Sequence, residues 1–168
     1  MSNLMYSLSA PVFIRMLRNL DAVLDKGAAY AAARKIDPSV LVNARLFPDM
    51  FPLAAQVRIA GDFAKGAVAR LTGKEPPKYE DTETTFDELR ARIAKTIAYV
   101  EQFGAAEFEG ADKRQVTIKL RGEDRTFDGT TYLASIVLPN FYFHVTTAYD
   151  ILRHNGVELG KRDFVGPL

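Results

Sequence analysis

From Phe13 onward apolar residues return at every third or fourth position: Phe13, Met16, Leu17, Leu20, Val23 and Leu24. That spacing puts them on one face of a helix, predicted from Ser9 to about Lys35. Pro11 is compatible with it, because the first turn of a helix offers its N–H groups no intrahelical partner. The second half of the stretch, KGAAYAAARK, is rich in alanine, which favours helix and lets a neighbour approach closely. Residues 37 to 51, DPSVLVNARLFPDMF, hold two prolines and predict a connection with one short helix from Ser39 to Leu46.

Pro52 opens a second helix, in which Leu53, Val57, Ala60, Ala64, Ala67 and Leu71 form the apolar stripe and Gly73 supplies the stop. KEPPKYEDTE is a loop. After it, Thr85 and Glu88 have the spacing of a capping box, where hydroxyl and carboxylate each satisfy an otherwise unpaired N–H. The third helix follows, with Leu89, Ile93, Ile97 and Val100 inward and Gly104 at its end. Between Arg114 and Asp128 the period changes to two: Val116, Ile118 and Leu120 alternate with polar residues, RGED turns and RTFD returns. This predicts a β-hairpin too short to stand alone and so packed on a helical body. After Gly129 the segment TTYLASIVL reads as helix, Pro139 either kinks or restarts it, and it runs to Asn155 with Gly156 as the stop. The tail GKRDFVGPL is expected to lie along the bundle with Phe164 as anchor. The fold class is therefore all-α: a four-helix bundle, one domain over 1–168, with a small hairpin inserted between the third and fourth helices.

Composition narrows the partners. Of 168 residues, 48% are hydrophobic and 26% charged, an ordinary globular balance. The 22 Lys and Arg stand against 21 Asp and Glu, so no basic surplus points to nucleic acid or an anionic membrane. With no cysteine there is no disulfide, thiolate nucleophile or cysteine zinc site. Arg15 interrupts the N-terminal apolar stretch, no basic n-region precedes it, and no uncharged run approaches the roughly 20 residues of a membrane span. A soluble cytoplasmic protein is the expectation.

Both histidines, His144 and His154, stand in PNFYFHVTTAYDILRHNG. Ten residues of helix rise roughly 15 Å and leave the two side chains about 80° apart. Zinc–nitrogen bonds are about 2 Å long, so the pair does not share one metal. His154, four residues after Asp150 and just before the helix stop, suits a helix C-terminus. His144 lies one turn after Asn140, and with Thr147 the three border a core stripe of Phe141, Val145, Ala148 and Leu152. Such a polar trio must be solvated or paired, as a satisfied buried histidine or as the wall of a ligand cavity.

The segments SAPVFIRML, NARLFPDMFPLAAQV, the Pro-Asn-Phe-Tyr-Phe-His helix and ILRHNGVELGKRDF resemble, over nearly the whole length, a bacterial family of unknown function within the DinB/YfiT-like superfamily of four-helix bundles. Many of those proteins hold a divalent metal, commonly zinc or nickel, with three histidines, one on the second helix and two on the fourth spaced His-x-x-x-His. The resemblance places these positions at Gln56, Asn140 and His144. Neutral amides are poor ligands for zinc or nickel, so of the metal positions His144 alone keeps its imidazole, and no metal or other cofactor is expected. It also implies pairing of two copies through helix faces, for which the alanine-rich stripe is suited, so a homodimer is the expected assembly.

What the resemblance leaves is a polar small-molecule cavity around Gln56, Asn140 and His144. Arg45 and Asp49 in the preceding loop, and Tyr142 and Tyr149 beside the His144 face, are further candidates for its lining. Asp49 is equally suited to cap the second helix or pair with Arg45, and Asp62 is a further carboxylate on a different face. No G-x-S-x-G, P-loop or G-x-G-x-x-G pattern occurs. Three readings stay open: a binding bundle without the metal, a metal-dependent transferase or hydrolase using His144 with a carboxylate, and a structural interaction protein.

Overall fold

The structure is a computed structural model and describes residues 4–167. Four long helices dominate it: α1, Ala10–Arg34; α2, Leu53–Leu71; α3, Phe86–Val100; and α4, Leu138–His154. The hairpin of β1, Gln115–Leu120, and β2, Glu123–Asp128, lies between α3 and α4, as the change of period requires. α2 packs along α4 and α3, and α1 along α3 and α4. The stripes meet in the middle: Phe13, Leu17, Leu24, Leu53, Leu71, Leu89, Phe141 and Leu152 are wholly buried in one continuous cluster. Phe13 meets Phe141 edge to face, centroids 4.9 Å apart; burial of one such ring contributes about 1.5–3 kcal/mol. No helix among the described residues is long and apolar enough to cross a membrane.

The local signals act as their chemistry dictates. Glu88 N–H donates to the Thr85 hydroxyl at 3.2 Å and Thr85 N–H to the Glu88 carboxylate at 3.1 Å, completing the capping box. The hairpin turns on Arg121 and Gly122, both with positive φ, the two-residue geometry that matches strand twist. Phe164 packs edge-on against Tyr149, and Asn19 of α1 donates to the carbonyls of Phe164 and Val165 at 3.0 and 2.9 Å, so the tail lies against α1 and α4.

Two boundaries differ from expectation. The connecting helix spans Pro38–Val42 rather than Ser39 to Leu46, because Asn43 turns its amide onto the Ser39 carbonyl and Pro48 disfavours helix just before it. α3 stops at Val100, and Gly104 instead precedes a short 3-10 turn, Ala105–Phe108. Before α4 the chain is helical from Gly129, but Tyr132–Val137 is a π turn in which Leu138 N–H reaches the Leu133 carbonyl five residues back. Pro139, which has no N–H to spend, falls in the first turn of α4, where the chain returns to α register, so of the two outcomes expected of it the restart is the one observed.

Candidate ligand pocket

α2 and α4, the most closely packed pair of helices, bring Gln56 against His144. Both sit at the edge of their apolar stripes: Gln56 is 1% and His144 9% exposed. The Gln56 Nε2 amide donates to the Phe51 carbonyl at 3.1 Å. A carbonyl only accepts, so this bond sets the amide orientation and leaves Oε1 facing His144. His144 Nδ1 lies 2.6 Å from that oxygen and must be the donor. The neutral imidazole therefore carries its proton on Nδ1 and a lone pair on Nε2. Burial holds the His144 pKa below its ordinary value, which keeps the ring neutral. Nε2 has no hydrogen-bond partner among the described residues, yet it is not sealed in, since Arg92 Nε is the single fully buried side-chain nitrogen or oxygen there without one.

His144 opens onto a depression of about 480 Å³ lined also by Gln56, Asn140, Asp49, Met50, Phe51 and Phe143. Asn140 Nδ2 donates to the Ile136 carbonyl at 2.7 Å, in the π turn, which orients the amide and leaves Oδ1 as an acceptor and one N–H of Nδ2 as a donor. Phe63, two turns beyond Gln56 on α2, lies nearly parallel to the His144 ring, centroids 6.0 Å apart. The structure thus brings Gln56, Asn140, His144 and Asp49 to one place. Arg45 is not in the wall: it donates to the Met50 carbonyl and braces the loop from outside. Asp49 is exposed and does not cap α2, whose N-cap is Pro52.

Tyr142 and Tyr149 do not line the depression, contrary to expectation. On a helix they stand about 200° and 140° from His144, and in the structure Tyr142 faces solvent while Tyr149 packs on Phe164. Phe143, the residue next to His144, takes the place expected of them. Thr147 donates to the Phe143 carbonyl of its own helix at 2.7 Å, and His154 is exposed in the last turn.

Asp62 belongs to a second polar centre that the sequence reading missed. Arg92, 5% exposed, donates to Asp62, Glu83 and the Glu80 carbonyl at 3.1, 3.0 and 2.8 Å, and Lys65 Nζ lies 2.9 Å from Asp62. This cluster holds the loop before α3 against α2 and α3. Its signal was present, since Arg92 follows Leu89 by three and precedes Thr96 by four on the buried face.

A profile described as a domain of unknown function (DUF1993) matches residues 5–165. The chain belongs to the DUF1993 family. It is similar in structure to a DinB family member protein from Shewanella denitrificans, whose crystal structure was determined at 1.83 Å resolution. The two are 46% identical, over 99% of this chain and 94% of that one, with a TM-score of 0.94. Among curated proteins none matches. The DUF1993 chain is thus a DinB-like bundle, as its sequence leads one to expect. At the three metal positions that the DinB-like resemblance implies, its donors do not fit a divalent ion. Gln56 is committed to His144 and Phe51, Asn140 is a neutral amide, and among the described residues no three His, Asp or Glu side chains converge.

Proposed function

We propose that this DUF1993 protein binds a small molecule that presents a hydrogen-bond donor, an amine above all, in the depression at His144. The observation that carries the reading is the relay from the Phe51 carbonyl through Gln56 to His144 Nδ1, which leaves Nε2 as an acceptor. Asn140 Oδ1 and the Asp49 carboxylate add two more acceptors to the same wall, and no cation lines it. Phe51 and Phe143, 59% and 54% exposed, give the mouth aromatic faces that attract an ammonium group. A donor reaching Nε2 meets a neutral imidazole able to take its proton, so a base-assisted transfer from a hydroxyl or thiol is open to the same site. A depression open to solvent and carrying three acceptors, rather than a closed apolar interior, supports binding over a purely structural role.

The test is an NMR titration of ¹⁵N-histidine-labelled protein with n-butylamine, n-butanol and n-butyrate. The reading expects an unprotonated Nε2 whose resonance moves with butylamine, less with butanol and not with butyrate, and loss of the response in Asn140→Leu. A proton on Nε2, or no response to any donor, would sink it.

A further inference from the structure

A second cleft, of about 400 Å³, lies on the other side of Phe63 and Asn140, between α2, the hairpin and the π turn. Its character is opposite. Lys65 and Arg70 line it against a single carboxylate, Asp62, and Asp62 is already shared between Lys65 and Arg92 at 2.9 and 3.1 Å. Lys65 is 7% exposed, so its ammonium is held inside the wall rather than waving in solvent. Arg70 has no carboxylate partner among the described residues, while Lys119 stands opposite Asp124 in the hairpin, on the side away from Ile118 and Leu120.

Arg70 is placed, not merely nearby. Its guanidinium folds back over Gly66, where an added Cβ would stand 2.6 Å from Nη1, so the glycine provides the seat. Nη1 donates to the Tyr132 hydroxyl at 3.3 Å. That oxygen accepts from an always-charged group, so its own proton is free to be donated into the cleft, beside the other N–H groups of Arg70. Ile118, Leu120 and Ile136 form the apolar part of the lining.

We propose that this cleft binds an organic anion, its carboxylate or phosphate held by Arg70, Tyr132 and Lys65 and its apolar body against Ile118, Leu120 and Ile136. The inference is independent of the reading at His144. A planar guanidinium fork with a hydroxyl donor beside it matches the oxygen geometry of either head group.

The experiment is calorimetry, with amide NMR as the map, on the wild-type chain and four variants. The probes are hexanoate, hexyl phosphate, inorganic phosphate and hexylamine. At least one hexyl anion should bind saturably and move the amides of Ile118 to Leu120 and Tyr132, the tighter of the two identifying the head group, while hexylamine leaves them in place. Arg70→Met should weaken binding about tenfold, the scale of one charge-assisted hydrogen bond. Gly66→Ala should weaken it too, because it unseats the guanidinium without removing charge, whereas His144→Ala should not. If Arg70→Met fails to fold, Tyr132→Phe, which removes only the hydroxyl donor, decides: weaker anion binding supports the site and unchanged binding overturns it. The proposal is also overturned if no anion moves these amides, if hexylamine binds as well as hexanoate, or if His144→Ala costs as much as Arg70→Met.

Discussion

His144 Nδ1 and Gln56 Oε1 lie 2.6 Å apart across the α2–α4 interface, joining residues 88 positions apart in the chain. The bond does more than hold the helices together. It chooses the tautomer of the imidazole, and with it which nitrogen is offered to the depression.

Gln56→Glu tests that choice. A carboxylate opposite Nδ1–H favours the imidazolium, so the His144 pKa, read from its proton resonances as pH is varied, is expected to rise above the wild-type value. The same change deprives the Phe51 carbonyl of its donor. Loss of one buried hydrogen bond costs about 1–3 kcal/mol, visible in urea denaturation. An unchanged His144 titration would mean that Gln56 does not govern the ring.

Stability should depend on pH through His144 in a definite direction. Burial lowers its folded pKa below the ordinary 6.5, while the unfolded chain titrates near that value. Above it neither state is protonated and the contribution is fully present. As pH falls through about 6.5 the unfolded chain takes up a proton that the folded one resists, so stability is lost. Denaturation midpoints between about pH 7.5 and 5.5 should fall more steeply for the wild type than for His144→Gln. Parallel curves would refute the linkage.

Arg92→Met removes the cation from Asp62, Glu83 and Asp81, and leaves the Glu80 carbonyl without a donor. Asp62 and Asp81 are partly solvated, at 41% and 61% side-chain exposure, which tempers the cost. A loss of about 2–3 kcal/mol is expected. Faster tryptic cleavage at Lys74 and Lys78 should accompany it, since the loop loses its clamp. A fall in stability without new cleavage would place the effect in the bundle core instead.

Asn19→Leu cuts both hydrogen bonds that tie Phe164 and Val165 to α1. Hydrogen exchange at residues 161–167 should accelerate while exchange in α2 and α3 stays as in the wild type, because the tail is a peripheral unit. Uniform acceleration across all helices would show instead that the tail is integral to global stability.

The helices, the hairpin and the capping box were legible because each is written in a short-range period or a fixed offset: Leu53 to Leu71 at three and four, Val116 to Leu120 at two, Thr85 with Glu88 at three. The helix ends were less so. Lys35 closes α1 in a left-handed conformation that a glycine would ordinarily mark, and Gly104, which looks like a stop, follows one already made at Val100. Of the residues expected around His144, Asn140, placed one helical turn away on the same face, and Gln56, placed by the family resemblance, both face the depression. Tyr142 and Tyr149 were chosen by sequence nearness, which a rotation of about 100° per residue does not respect. Arg92 and Arg70 went unread because a charge on an apolar face, or beside a glycine, acquires meaning only from what packs opposite.

Sequence alone determined the all-α bundle and the late hairpin, since these follow from local periodicity and residue type. Tertiary structure alone decided that Gln56 orients His144, that Asn140 is a wall common to an acceptor-lined depression and a cation-lined cleft, and that Gly66 seats Arg70 beside Tyr132. The reason is geometric: a hydrogen bond or an ion pair is fixed within a few tenths of an ångström, whereas helical periodicity locates a side chain only to a face.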